Sequence, residues 1–288
     1  MRGDAGSMRV LRPMNAEEAL TLYAEHPSAL PMAGGTDLMV AFNGGRLNGR
    51  EVLDLSALKE WTDIEFLPDR ARIGALCTHA RIESHPGVLK RLPLLAQACA
   101  SVGAIQIRNR GTLGGNLANA SPAGDSFPAL AVYEAQVVAV SAQGGRTIPI
   151  RELFAGVKKT TLQPGELIAG VEVPLFKREP QRAVFRKVGS RRAQTISKAV
   201  AAGLLWVRAG KVEELRFALG SVAPTVRRAA KIEEFLRGRA LSESVVEQSC
   251  AMLEEEISPI DDVRSTRAYR LGVCRGILRA LLSSGQKG

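Results

Sequence analysis

The sequence predicts an α+β protein of two domains, and three observations lead there. At 288 residues the chain exceeds the usual span of a single hydrophobic core. Strand-like and helix-like apolar patterns are mixed in both halves, with no internal repeat or low-complexity tract. Pro174 and Pro180 bracket a break between the halves. A first domain is therefore expected over residues 1–176, subdivided into about 1–57 and 58–176. A smaller one is expected over 177–288, with a three-stranded antiparallel sheet and a helical bundle.

Each element has a local reason. Asn15 with Glu18 three residues on reads as a capping box opening a helix from Ala16 to about Glu25, which Pro27 ends. Leu30 to Ala33 is strand-like, and Gly34-Gly35-Thr36-Asp37 turns it into a short helix over Leu38 to Phe42. Glu51 to Leu55 is a further strand, and Ile64 to Ala75 a hairpin turning at Pro68-Asp69. Helical patterning resumes at Leu92 to Ser101, and a long glycine-rich loop follows. Beyond it come a helix over Phe127 to Tyr133, a hairpin of Gln136 to Ser141 and Arg146 to Ile150 joined at Gly144-Gly145, and a strand over Leu167 to Val173. Ala183 to Val188, Ala199 to Val207 and Val212 to Leu219 form the three-stranded sheet, with Ala209-Gly210 as its last turn. Three helices close the chain: Val226 to Arg237, Ser242 to Ile257, and Thr266 to Leu282. The last carries Ala268, Leu271, Cys274, Ile277, Leu278 and Leu281 on one stripe.

Composition removes several classes of function. With 45% hydrophobic and 24% charged residues the chain is an ordinary globular sequence. Apolar runs such as Ala199 to Val207 fall short of the ~20 residues a bilayer helix needs. The N-terminus has no apolar secretory core, which points to the cytoplasm. Cys77, Cys99, Cys250 and Cys274 are scattered and read as reduced and buried. The histidines show no metal-ligand spacing beyond a weak Cys77 and His79 pair, so no metal is expected and His79 reads as structural. A net charge of +10 invites nucleic acid. Its even spread and the 5% aromatic content argue instead for an acidic partner subunit or plain solubility.

The chemistry concentrates in two glycine-led segments, Ala33-Gly34-Gly35-Thr36-Asp37-Leu38 and Arg110-Gly111-Thr112-Leu113-Gly114-Gly115-Asn116, the second running on through Ser121 to Asp125. Glycines bring main-chain N–H groups close to an anion, and Thr112, Asn116 and Ser121 add uncharged donors. Two such segments suit a long dinucleotide held at several points. There is no G-x-G-x-x-G of Rossmann type, no P-loop lysine and no G-x-S-x-G elbow. The chemistry is therefore expected to belong to a bound cofactor.

The stretches A-G-G-T-D-L (Ala33 to Leu38) and Q-I-R-N-R-G-T-L-G-G-N-L-A-N-A-S-P-A-G-D (Gln106 to Asp125) resemble the FAD-binding subunit of the molybdenum hydroxylases. That is the medium subunit of the xanthine dehydrogenase and carbon monoxide dehydrogenase type. G-E-L-I-A-G-V-E-V-P from Gly165 and F-R-K-V-G-S-R-R from Phe185 extend the resemblance over nearly the whole chain. It implies an FAD-binding domain of the molybdopterin dehydrogenase type in two subdomains and the C-terminal domain of that flavoprotein family. By the same resemblance Pro31, Met32, Ala33, Gly34, Gly35, Thr36, Asp37 and Leu38 form the first FAD loop, whose amides and Thr36 hold the pyrophosphate. Thr112, Gly114, Gly115 and Asn116 form the second, with Ser121 among its donors. Asp125 accepts a hydrogen bond from FAD, Ile168 packs on the flavin, and Lys187 is a cation near it. Val102 stands where animal members put an aromatic residue, and Gln194 where they carry an acid.

The resemblance further implies an electron relay. Substrate is oxidised at a molybdopterin cofactor on a large subunit, electrons pass through iron–sulfur clusters on a small subunit, and FAD passes them to NAD or another acceptor. The assembly is a dimer of heterotrimers. A stand-alone flavin-dependent oxidoreductase is the alternative, and it needs an acid–base cluster of its own, which the sequence does not offer.

Overall fold

The computed structural model describes residues 3–191 and 193–283; Arg192 of the F-R-K-V-G-S-R-R motif lies outside them. The fold is α+β, as expected. Strands Arg9–Leu11, Glu51–Asp54 and Leu30–Met32 make a small parallel sheet in that spatial order. Helix Ala16–Glu25 packs beside it, and the Asn15 side chain caps that helix by accepting from the Glu18 N–H. A five-stranded antiparallel sheet follows, ordered Ile64–Phe66, Arg70–Gly74, Leu167–Pro174, Gln136–Ser141, Gly144–Pro149. The C-terminal sheet is antiparallel, and helices Ala230–Leu236, Glu243–Glu256 and Arg267–Ser283 follow it in the chain.

That last sheet has four strands instead of the expected three: Arg182–Val188, Ala199–Arg208, Lys211–Gly220 and Arg227–Arg228. The fourth is a dibasic pair opposite Leu219 and Ala218, too short to show an alternating pattern, and it occupies residues assigned from sequence to a helix that begins only at Ala230. The turn between the second and third strands is the expected Ala209-Gly210, both left-handed at φ +50° and +74°.

Three further expectations are corrected. The hairpin over Gln136–Ser141 turns at Ala142-Gln143, and Gly144-Gly145 lie in the return strand, because Val137 opposite Ile148 is the register that buries both side chains. The glycine-rich loop after residue 102 contains two helices, Ile105–Arg110 and Leu113–Asn119. In the second, the Thr112 hydroxyl oxygen accepts from the Gly115 N–H while Leu113 and Leu117 bury the same face, which outweighs the low helix propensity of two glycines. On the C-terminal helix, Ala268 is exposed and Arg270 is buried instead. Arg270 donates to the Lys198 and Ser221 carbonyls and pairs with Asp262.

Ala199–Arg208 carries the packing of the C-terminal half. Ala199, Ala201 and Leu205 face the three helices, while Val200, Ala202, Leu204 and Trp206 join the large core beneath the five-stranded sheet. Both faces of this strand are dry, so period two is masked in sequence by an unbroken apolar run. A third core, with Leu53, Leu58 and Trp61, underlies the parallel sheet.

Candidate functional site

The two glycine segments meet. A Cβ on Gly34 would lie 1.7 Å from the Arg110 carbonyl oxygen, and one on Gly111 would lie 3.5 Å from the Thr36 hydroxyl, so bare backbone at the contact is what lets the segments touch. Gly114 is also packed closely, on Ala75, whose Cβ and carbonyl oxygen would be 2.6 and 2.8 Å from an added methyl. Beside this junction opens a cleft of about 680 Å³, within the size range of cofactor sites.

The first segment supplies a wall suited to an anion. Gly35 has a left-handed φ of +75° at the approach to helix Leu38–Asn43. Among the described residues, the N–H groups of Gly34, Gly35, Thr36, Asp37 and Leu38 have no partner within the chain. A left-handed turn running into a helix start directs consecutive N–H groups into one concavity, and such a concavity holds phosphate oxygens. Asp37 has a neighbour of its own: its carboxylate accepts from Asn119 Nδ2 at 3.0 Å, and Asn119 in turn accepts from Lys158 Nζ at 2.6 Å.

The second segment contributes differently from the sequence expectation of open glycine amides. The N–H groups of Leu113, Gly114, Gly115 and Asn116 already donate to Cys77, Ala75, the Thr112 side chain and the Thr112 carbonyl. Its contribution to the cleft is shape and side chains. Asn116 Oδ1 accepts from Ser126, which leaves its NH₂ to serve as a donor.

Of the residues singled out from sequence, Pro31, Ala33, Gly34, Gly35, Thr36, Asp37, Leu38, Val102, Thr112, Gly114, Gly115, Asn116 and Ile168 line this one cleft. Four do not. Met32 sits in the parallel sheet with its carbonyl accepting from Leu55, and Ser121 Oγ accepts from Ala123 N–H. Asp125 and Lys187 lie behind the wall as a buried ion pair of 2.7 Å, and Lys187 also donates to the Ser101 carbonyl beside Val102. Asp125 is not a helix cap, since that position belongs to Ser126. Ser197 donates to its second oxygen, and burial still pushes its pKa up against the pull of Lys187 and Ser197.

Sequence reasoning missed His79 and the segment from Thr160 to Leu167, which also line the cleft. His79 gave only the weak pair with Cys77; of the 160–167 segment, the G-E-L start of the third motif only extends the resemblance and does not mark cleft lining.

FAD fits the residues present: a nest of unpartnered amides for its phosphates, apolar walls from Val102, Leu162 and Ile168, and uncharged polar groups between them. Residues 6–176 match the family described as "FAD binding domain in molybdopterin dehydrogenase". This chain belongs to that family. Residues 184–284 match the "CO dehydrogenase flavoprotein C-terminal domain". The chain is 29% identical to the glyceraldehyde dehydrogenase medium chain of Sulfolobus acidocaldarius, covering 92% of this chain and 93% of that one. It is 27% identical to the xanthine dehydrogenase FAD-binding subunit of Escherichia coli O157:H7, covering 94% of each. Among solved structures, carbon monoxide dehydrogenase from Hydrogenophaga pseudoflava superposes with a TM-score of 0.90 at 27% identity and 96% coverage of both chains. The chain is thus an FAD-binding medium subunit of the molybdenum hydroxylase type, and its relatives are subunits of oxidoreductases. Among the described residues no helix is long and apolar enough to cross a membrane.

Proposed function

We propose that this medium subunit is an electron relay: it takes electrons from the iron–sulfur clusters of a small subunit and passes them to NAD or another acceptor. Substrate is oxidised on a large molybdenum-cofactor subunit, in a cytoplasmic dimer of heterotrimers. In this reading residues 1–176 are the FAD-binding domain, with subdomains of about 1–57 and 58–176, and 177–288 the C-terminal domain. The observation that carries it is the single cleft in which both glycine segments meet beside a run of unpartnered amides.

FAD, when bound, supplies the capacity to take up electrons singly and release them as a pair. The chain's residues hold and shield it. The amides from Gly34 to Leu38 bind the pyrophosphate with Thr36, Thr112 and Asn116 as further donors, and Val102 and Ile168 exclude water from the ring. Lys187, already neutralised by Asp125, keeps the wall behind the cleft rigid and adds little net positive charge.

The test is purification of the tagged chain from its native host. Recovery with an iron–sulfur polypeptide and a molybdenum polypeptide, and flavin bands at one FAD per chain, supports the relay. Recovery as a solitary flavoprotein overturns it. Bleaching of those bands by NADH under anaerobic conditions supports NAD as the acceptor; bands that persist in the intact complex favour another acceptor.

A further inference from the structure

We propose that His79 is an FAD-binding residue, a neutral imidazole that donates its Nε2–H to an oxygen of the cofactor and is held in that tautomer by Cys99.

His79 is 2% exposed, and it lines the cleft. Its backbone position is fixed twice: the His79 N–H donates to the Gly111 carbonyl at 3.0 Å, and Thr78 caps the helix His79–Ser84 that it opens. The ring is fixed on one side only. Nδ1 meets Cys99 Sγ at 3.5 Å, and Nε2 has no partner within the chain among the described residues.

Cys99 sits in an apolar site that keeps its thiol pKa well above the ordinary value, so the sulfur retains its proton. An S–H that donates to Nδ1 leaves the imidazole proton on Nε2, which makes Nε2 the donor. Neutrality of the ring is enforced as well: burial, and then the nearby Arg108, lowers the His79 pKa to about 4.

The open edge faces the anion-binding wall. The Cβ position of Gly111 lies 3.5 Å from His79 Cδ2, the carbon bonded to Nε2, and 3.5 Å from Thr36 Oγ1. His79, Gly111 and Thr36 therefore converge on one spot, where the pyrophosphate loop meets the second segment. Nε2 is not one of the fully buried, unpartnered side-chain atoms among the described residues, so it reaches the open cleft, where an oxygen of the cofactor can take the place of water as its acceptor. The reading depends on FAD occupying this cleft.

The experiment compares FAD affinity of the full-length wild-type apoprotein with His79→Leu and His79→Gln, by titration of flavin fluorescence. Circular dichroism establishes that each variant is folded. His79→Leu keeps the volume, loses the donor, and is expected to raise Kd by about five- to tenfold, the scale of one neutral hydrogen bond. His79→Gln places an amide N–H at the same reach and is expected to stay within about twofold of wild type. With ¹⁵N-histidine labelling, the Nε2 resonance is expected to be that of a protonated nitrogen and to shift on adding FAD. Wild-type uptake with unchanged affinity in His79→Leu, or an Nε2 signal unmoved by FAD, overturns the assignment alone. A wild-type chain that takes up no FAD overturns the flavoprotein reading and this assignment together.

Discussion

Replacing Gly34 by alanine tests whether the cleft depends on contact between the two glycine segments. The new methyl would lie 1.7 Å from the Arg110 carbonyl oxygen, 2.5 Å from its carbon and 3.1 Å from Gly111 Cα. All three are backbone atoms, so no side chain can rotate away. Ordinary contact requires about 3.5 Å, so the segments must part by roughly 1.5–2 Å, or the peptide must distort. Overpacking of this kind costs about 1–3 kcal/mol, and the displacement falls on the amides proposed to hold the phosphates. Gly35→Ala is the internal control. Its φ of +75° strains a side chain, yet an added methyl meets nothing closer than 3.6 Å, so the cost is the left-handed strain alone, about 1–2 kcal/mol, with the segments still in contact. Flavin fluorescence titration is expected to show FAD affinity falling at least tenfold in Gly34→Ala and clearly less in Gly35→Ala, with thermal unfolding giving the stability of each apoprotein. Equal affinities for wild type and Gly34→Ala, in a sample with unchanged melting temperature, would refute the reasoning.

Three other outcomes follow from the structure. His79 titrates at about 4 when folded and near 6.5 when unfolded, so folding favours the neutral ring. Its stabilisation is complete above 6.5 and is lost as pH falls from 6.5 towards 4, by up to about 3 kcal/mol; in urea denaturation His79→Gln should flatten that part of the pH profile, and an unchanged slope would contradict it. Asp125→Asn removes the partner of buried Lys187 and is expected to cost about 3 kcal/mol, read as a drop in chemical-denaturation midpoint, whereas a neutral result would mean that the pair does not fasten the sheet strand Arg182–Val188 to the cleft wall. All four cysteines are buried, and burial lifts the thiol pKa of Cys77 and Cys274 to about 12; a thiol reagent should label none in the native protein within minutes and all four in denaturant, and fast native labelling would place a thiol at the surface.

The parts of the fold visible in the sequence were those with local causes. Asn15 and Glu18 announce their helix through capping chemistry, and Ala209-Gly210 announces its turn through the left-handed backbone it requires. The glycines of the cleft were legible as unusual, but their reason was not. Gly34 and Gly114 are small because other chain segments press on them, a tertiary fact with no sequence signature. The same holds for helix Leu113–Asn119, where Thr112 and two buried leucines override glycine propensity. Most of the FAD residues implied by the motifs do converge on one cleft. Asp125 and Lys187 were legible as a carboxylate and a cation, yet their pairing joins residues 62 positions apart and could not be read from either motif. His79 was invisible because a lone histidine looks the same whether its second nitrogen faces core or cavity.

Trp206, Leu204, Ala202 and Val200 share a core with Tyr133 and Phe127, while their neighbours along the same strand face the terminal helices. A strand wedged between two interiors leaves the C-terminal sheet no freedom to swing. A truncation ending after Pro174 would strip the large core of its lid of alanine, valine and tryptophan, and would yield aggregating protein instead of a minimal flavin carrier. That strand ties the two halves of the chain together through continuous buried packing.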